Sequence, residues 1–218
     1  MTTEITATDE SRPLRADAAR NRELILQTAA EVFAEQGLDA GYDEIARRAG
    51  VGVGTVYRRF PARAELVQAL FESRIAEIVA IAEEAAEEPD AFAGLAWFLE
   101  GALERQVADR GLKEVLVQGI SEDDHRTIGR DRIGPIVEGL VKRAHDAGSL
   151  RPDVAATDLG MQLMVISSMT TSAQPELWRR YLALLLEGLR SRPGQELLPL
   201  CAPGDDAVND LMCNMQGR

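Results

Sequence analysis

Between Thr55 and Arg63 this 218-residue chain places a hydroxyl, a phenol and three guanidiniums: Thr55, Tyr57, Arg58, Arg59 and Arg63. All five can donate hydrogen bonds, and the guanidiniums add fixed positive charge, a donor set suited to phosphate oxygens and to carbonyl or ring-nitrogen acceptors. Val56 and Phe60 lie among them four residues apart, the spacing of one helical stripe. That stripe is committed to packing, which leaves the donors free to face a partner.

Donors at this spacing need a rigid platform, and residues 43–60 supply one. They read as two short helices joined by a tight glycine turn. Ile45, Ala49, Val51, Val56 and Phe60 provide the apolar contacts between the helices, and Ala46 is small where they must approach closely. Gly50 falls just past the first helix, where a left-handed conformation is needed at little steric cost. This is the makeup of a helix-turn-helix (HTH), whose second helix lies in the major groove of DNA. Taken alone, the window also fits a surface helical hairpin with solvated arginines.

The flanks favour the first reading. Residues 16–36 form one amphipathic run with Leu24, Ile25, Ala29, Val32 and Phe33 at helical spacing, stopping at Gly37. Pro61 follows the second short helix, and a long helical pattern covers 62–88. Ile25-Leu26, Ala29-Ala30, Phe33-Ala34 and Gly37, then Ile45-Ala46-Arg47-Arg48-Ala49-Gly50-Val51-Gly52-Val53-Gly54-Thr55-Val56-Tyr57-Arg58-Arg59-Phe60-Pro61, resemble the TetR family of bacterial transcriptional regulators. The resemblance covers about residues 20–70 and is one of architecture beyond them. It implies an all-α fold: an N-terminal three-helix HTH domain and a C-terminal helical domain for ligand binding and dimerisation. The implied function is a DNA-binding regulator, in the family's usual mode a repressor released from a palindromic operator by a small-molecule effector. The alternative is a helical adaptor that binds no DNA.

On that reading Gly52, Val53, Gly54, Thr55, Tyr57, Arg58, Arg59 and Arg63 form the DNA-binding set. Gly52 lets the turn pass close to the DNA backbone, and Gly54 leaves no side chain between helix and base edges. Thr55 bonds a phosphate or touches a thymine methyl, and Arg58 reads a base, since one guanidinium engages both guanine acceptors. The resemblance implies that Tyr57 contacts phosphate, that Arg59 stands where histidine is common, and that Arg63 clamps the backbone. Arg47 and Arg48 either touch DNA or face solvent. One departure concerns the start of the first HTH helix, where the family often has threonines that hold a phosphate. Here the residues are Ala40-Gly41-Tyr42-Asp43, which leaves only backbone amides for that contact.

Net charge is −12, an apparent objection to a DNA partner. The excess lies beyond residue 70, where fifteen Lys or Arg face twenty-five acids; residues 45–63 hold five arginines and no acid. Affinity for DNA follows local phosphate neutralisation rather than total charge. No apolar run approaches the ~20 residues of a membrane span, and the polar, acidic start lacks a secretory signal. A cytoplasmic protein with no membrane partner is expected. Cys201 and Cys213, with His125 and His145, do not make a metal site, and no cofactor is implied. The chain lacks a Gly-rich phosphate loop, a nucleophile elbow and metal-spaced histidines, so an enzyme is not expected. Glu122-Asp123-Asp124-His125 reads as a solvated loop.

The expected organisation is a flexible arm at 1–15, carrying Arg12 and Arg15 ahead of the first helix, an HTH domain at 16–70, a helical domain at 71–192 and a loose tail at 193–218. Helical patterns beyond the HTH cover 62–88, 91–108, 112–120, 127–147 with a kink or restart near Pro135, 154–171 and 175–190. The last two helices carry apolar residues on more than one face, either as a dimer surface closing a four-helix bundle or as central core. Trp97, Phe98, Met161, Met164 and Trp178 are candidates for an apolar effector pocket, with Gln118 as a polar handle. Each is also a candidate core residue, and periodicity does not separate the two.

Overall fold

In this computed structural model the described residues are 11–108, 131–169, 173–204 and 207–208, with side chains described from residue 20 onward. They hold eight helices and one isolated antiparallel bridge. The chain forms two compact units that part between Phe71 and Glu72.

In the first unit α1 (Ser11–Gln36) begins earlier than the apolar pattern. Arg12 and Arg15 therefore lie inside a helix rather than on an arm ahead of it. Pro13 does not prevent this, because first-turn amides have no intrahelical partner to lose. α2 (Tyr42–Ala49) ends at Gly50, whose φ of +66° is the left-handed turn that its position requires. The turn is closed by the Val51 amide, which donates to the Ala46 carbonyl at 3.0 Å. α3 (Val53–Arg59) starts with the Thr55 amide on the Gly52 carbonyl at 2.8 Å and stops at Phe60, just before Pro61. The first turns of α4 (Arg63–Glu87) complete the unit. Ile25, Phe33, Ile45, Val56 and Leu66 are fully buried at its centre, fixing α2 against α3.

In the second unit the end of α4 packs with α5 (Ala91–Ala108), α6 (Gly134–Asp146), α7 (Ala156–Met169) and α8 (Leu177–Leu189). Asp90 caps α5 through its carboxylate, which accepts the Phe92 and Ala93 amides at 2.9 and 3.0 Å. Arg143 on α6 donates to the Ala86 and Glu88 carbonyls at 2.6 and 2.7 Å, satisfying acceptors that the end of α4 leaves open. The restart expected near Pro135 is present: α6 begins at Gly134 with the proline in its first turn. The segment 112–120, Gln118, the run 122–125 and Cys213 lie outside the described residues.

The tail departs from expectation. Leu150 and Arg190 form the isolated bridge, and residues 191–198 continue along the loop after α6 instead of hanging loose. The Ser191 amide donates to the Ser149 carbonyl at 3.0 Å, Arg151 donates to the Glu196 carbonyl at 3.0 Å, and the Leu198 amide donates to the Asp153 carboxylate at 2.6 Å. Composition missed this because the partners are up to 45 residues apart. The Arg151 guanidinium first, and the Leu198 amide second, hold the Asp153 carboxyl well below its ordinary value. A depressed folded-state pKa gives a contribution that is complete above the unfolded value, about 4, and is lost as pH falls through the folded one. The Leu198 amide resonance is therefore expected to stay fixed from pH 7 to about 4 and to move only below that. A transition centred at the ordinary aspartate value would show that the strap is not held by this carboxylate.

Candidate nucleic-acid interface

Of the seven residues of α3 only Val56 is buried. Gly52, Val53, Gly54, Tyr57, Arg58 and Arg59 are exposed and Thr55 is half-buried. The structure thus presents seven of the eight predicted residues on one short helix and its leading turn. Arg58 lies back along that helix. Its guanidinium donates to Thr55 Oγ1 at 3.1 Å, and a Cβ on Gly54 would sit 3.7 Å from its Nη1. That is ordinary contact distance, so the room that Gly54 leaves is on the side facing a partner. Neither Arg58 nor Arg59 is in an ion pair among the described residues.

The eighth residue sits differently. Arg63 is half-buried, and its Nη1 donates to the Ala40 carbonyl at 2.8 Å. Its guanidinium carbon lies 5.9 Å from the Tyr42 ring centre and 6.0 Å from that of Phe33. In the free protein it holds α4 to the connection between α1 and α2, a role that its position ahead of a helix did not signal. Tyr42 was also missed as anything but a departure from the threonine pattern. It is buried at the start of α2, its ring centre 4.8 Å from that of Tyr57, and burial pushes its phenol pKa up. Arg22 adds a cation near Phe60, 6.0 Å from the ring centre.

The two arginines of α2 are neutralised within the chain. Arg47 donates two bonds to Glu44 at 2.7 and 2.8 Å; Arg48 donates to Glu44 and to Glu35, each at 2.7 Å. The Arg47 bond, then the Arg48 bond, lower the Glu44 pKa to about 2. It stays ionised at any pH compatible with a DNA duplex. Of five arginines in the acid-free stretch, Arg58 and Arg59 are thus exposed and without an ion pair among the described residues. Arg47→Ala is expected to change duplex affinity less than about twofold, because an exposed ion pair already screens it. Arg59→Ala should lower the slope of log affinity against log salt by about one contact. Fluorescence anisotropy across a salt series checks both; an equal effect of the two would contradict the assignment.

Residues 25–70 match the family model described as bacterial regulatory proteins, tetR family, and residues 88–191 match the SbtR-like transcriptional regulator C-terminal domain. An uncharacterised HTH-type transcriptional regulator of Mycobacterium tuberculosis is 32% identical over 165 residues, 68% of this chain and 79% of that protein. The chain belongs to the TetR family of bacterial transcriptional regulators. A TetR-family crystal structure from Mycobacterium vanbaalenii is similar at 35% identity and TM-score 0.66, covering 82% of this chain and 99% of that one. A second, from Streptomyces coelicolor, is 32% identical with TM-score 0.64 over 78% and 98%. The match to the HTH-type regulator TtgW of Pseudomonas putida, at 45% identity, spans only 48% of that protein and 29% of this chain.

Of the residues read from the sequence as an effector pocket, Gln118 lies outside the described residues and the other five are placed as follows. Phe98 and Trp178 are each 2% exposed, in the core of the second unit. Met161 and Met164 are half-buried on α7. Trp97 is exposed and lines an open depression of about 540 Å³ beside Asp90, Glu100, Glu104 and Arg190. Adjacent residues of a helix point about 100° apart, so Trp97 and Phe98 leave α5 in different directions. No group of His, Cys, Asp or Glu among the described residues is arranged to hold a metal ion, and no described helix is long and apolar enough to cross a membrane.

Proposed function

We propose that the protein is a homodimeric, cytoplasmic repressor that reads a palindromic operator with α3 and is released by a small apolar effector. The observation that carries this is the surface of α3: apart from Val56 it faces outward, with Arg58 and Arg59 unpaired among the described residues while the α2 arginines are bound to carboxylates. Arg58 reads a base, Tyr57 and Arg59 contact phosphate, and Thr55 and Gly54 admit the groove edge. Residues 16–70 form the DNA-binding module and 71–192 the effector and dimer domain, with 193–218 as an appended tail. The action is binding, with no catalysed reaction.

Pairing with a second copy is supported by apolar side chains that α7 and α8 leave in solvent: Val165, Met169, Tyr181 and Leu184, the last 58% exposed. Burying them in a four-helix bundle would place two recognition helices on a two-fold axis, reading half-sites one helical turn apart or a multiple of it. The test is a gel-shift assay with the DNA flanking the protein's own gene across a salt series. Retarded complexes that weaken as salt rises are expected. Absence of salt-sensitive association with any duplex would overturn the proposal.

A further inference from the structure

Tyr42 is 6% exposed, and its phenol oxygen has no hydrogen-bond partner among the described residues. An unpaired buried hydroxyl is destabilising, so the residue contributes through its ring. That ring meets Tyr57 at 4.8 Å between centres and 55° between planes, within the favoured range for tilted aromatic pairs. The Arg63 guanidinium carbon is 5.9 Å from the Tyr42 centre and is anchored by the Ala40 carbonyl at 2.8 Å. Gly41, just before Tyr42, gives α2 no side-chain cap. The first turn of α2 is instead occupied by a cluster of Arg63, Tyr42 and Tyr57.

Tyr57 is 55% exposed, so part of the side chain is covered while the rest faces outward. Its neighbour Val56 is fully buried, which fixes the helix under it. The freedom left to Tyr57 is rotation of its side chain, and Tyr42 is the ring that restricts it. We infer that Tyr42 is a positioning residue for the Tyr57 phenol: seated by Arg63, it selects the Tyr57 rotamer before DNA arrives. This rests on the proposed docking of α3 on DNA. A side chain ordered in advance loses less entropy on binding, an effect of about three- to tenfold in affinity.

The experiment is a double-mutant cycle on the full chain, using a duplex enriched from a random-sequence library by the wild-type protein. Tyr42→Leu is expected to weaken binding about three- to tenfold and Tyr42→Phe to leave it unchanged. In a Tyr57→Ala background, Tyr42→Leu should have no further effect, while in an Arg58→Ala background its full effect should persist. Tyr57 ring protons should also lose their ring-current shift in free Tyr42→Leu. Melting is followed for every variant, and Tyr42→Met takes the place of Tyr42→Leu if the latter is not folded at the assay temperature. A loss that is the same with and without Tyr57, or no loss in a folded variant, overturns the inference alone. Failure of the wild type to enrich any duplex overturns the reading of α3 and this inference with it.

Discussion

Gly94→Ala lowers the stability of the second unit by a net amount of about 2 kcal/mol, although alanine is the better helix former. Two effects compete at this site. Replacing glycine by alanine inside a helix normally stabilises by about 1 kcal/mol. At Gly94 the new methyl would fall well inside contact distance of the Ala85 carbonyl oxygen and only 3.3 Å from Glu88 Cβ. That oxygen is backbone at the end of α4; it accepts the Glu88 amide at 3.3 Å, and Arg143 fixes the Ala86 and Glu88 carbonyls beside it, so it has little room to move. Overpacking costs about 1–3 kcal/mol and more where nothing can give, so the overlap outweighs the propensity. Gly139 is the matched control: it is exposed on α6 with nothing within 4 Å of its would-be Cβ. Gly139→Ala should raise stability by up to about 1 kcal/mol. Denaturant titration of both variants must give opposite signs; a stabilised Gly94→Ala would mean that α4 and α5 are not in this close contact.

Local spacing made much of this fold legible. Ile45, Val56 and Phe60 declare the HTH because each sits one helical step from its packing partner, and Gly50 declares the turn because only a residue without Cβ enters that conformation freely. The pairing of Glu44 with Arg47 and Arg48 was equally available, since three and four residues apart is one helix face. Contacts made across the chain were not. Glu35 reaches Arg48 from thirteen residues away, Arg63 turns inward to a carbonyl twenty-three residues upstream, and Leu198 finds Asp153 across forty-five. Each depends on how helices cross, which periodicity does not encode. The effector candidates are a related case: Phe98 and Trp178 look the same in a sequence whether they line a cavity or fill a core.

Arg58→Ala should reduce affinity for the selected operator by about 5- to 150-fold, the equivalent of about 1–3 kcal/mol, while random duplex loses only the share of one charge. The variant should melt like the wild type. Arg58 is exposed, and its one intramolecular bond, to Thr55 Oγ1 at 3.1 Å, runs between groups that water can serve equally well. This separates it from Arg63, whose bond to the Ala40 carbonyl is part-buried and whose loss is expected to lower stability as well as affinity for every sequence. The distinction matters because Arg47 and Arg48 are paired with carboxylates and Arg63 turns inward, so few charges on this surface are left for phosphate. Discrimination must then come from directed bonds on a surface only a few residues wide, and Arg58 is a side chain there able to engage two base acceptors at once. Anisotropy with operator and scrambled duplexes at one salt concentration decides it. Equal losses on the two would assign Arg58 to phosphate and leave base readout to Thr55 and the groove-facing turn at Gly52 and Val53.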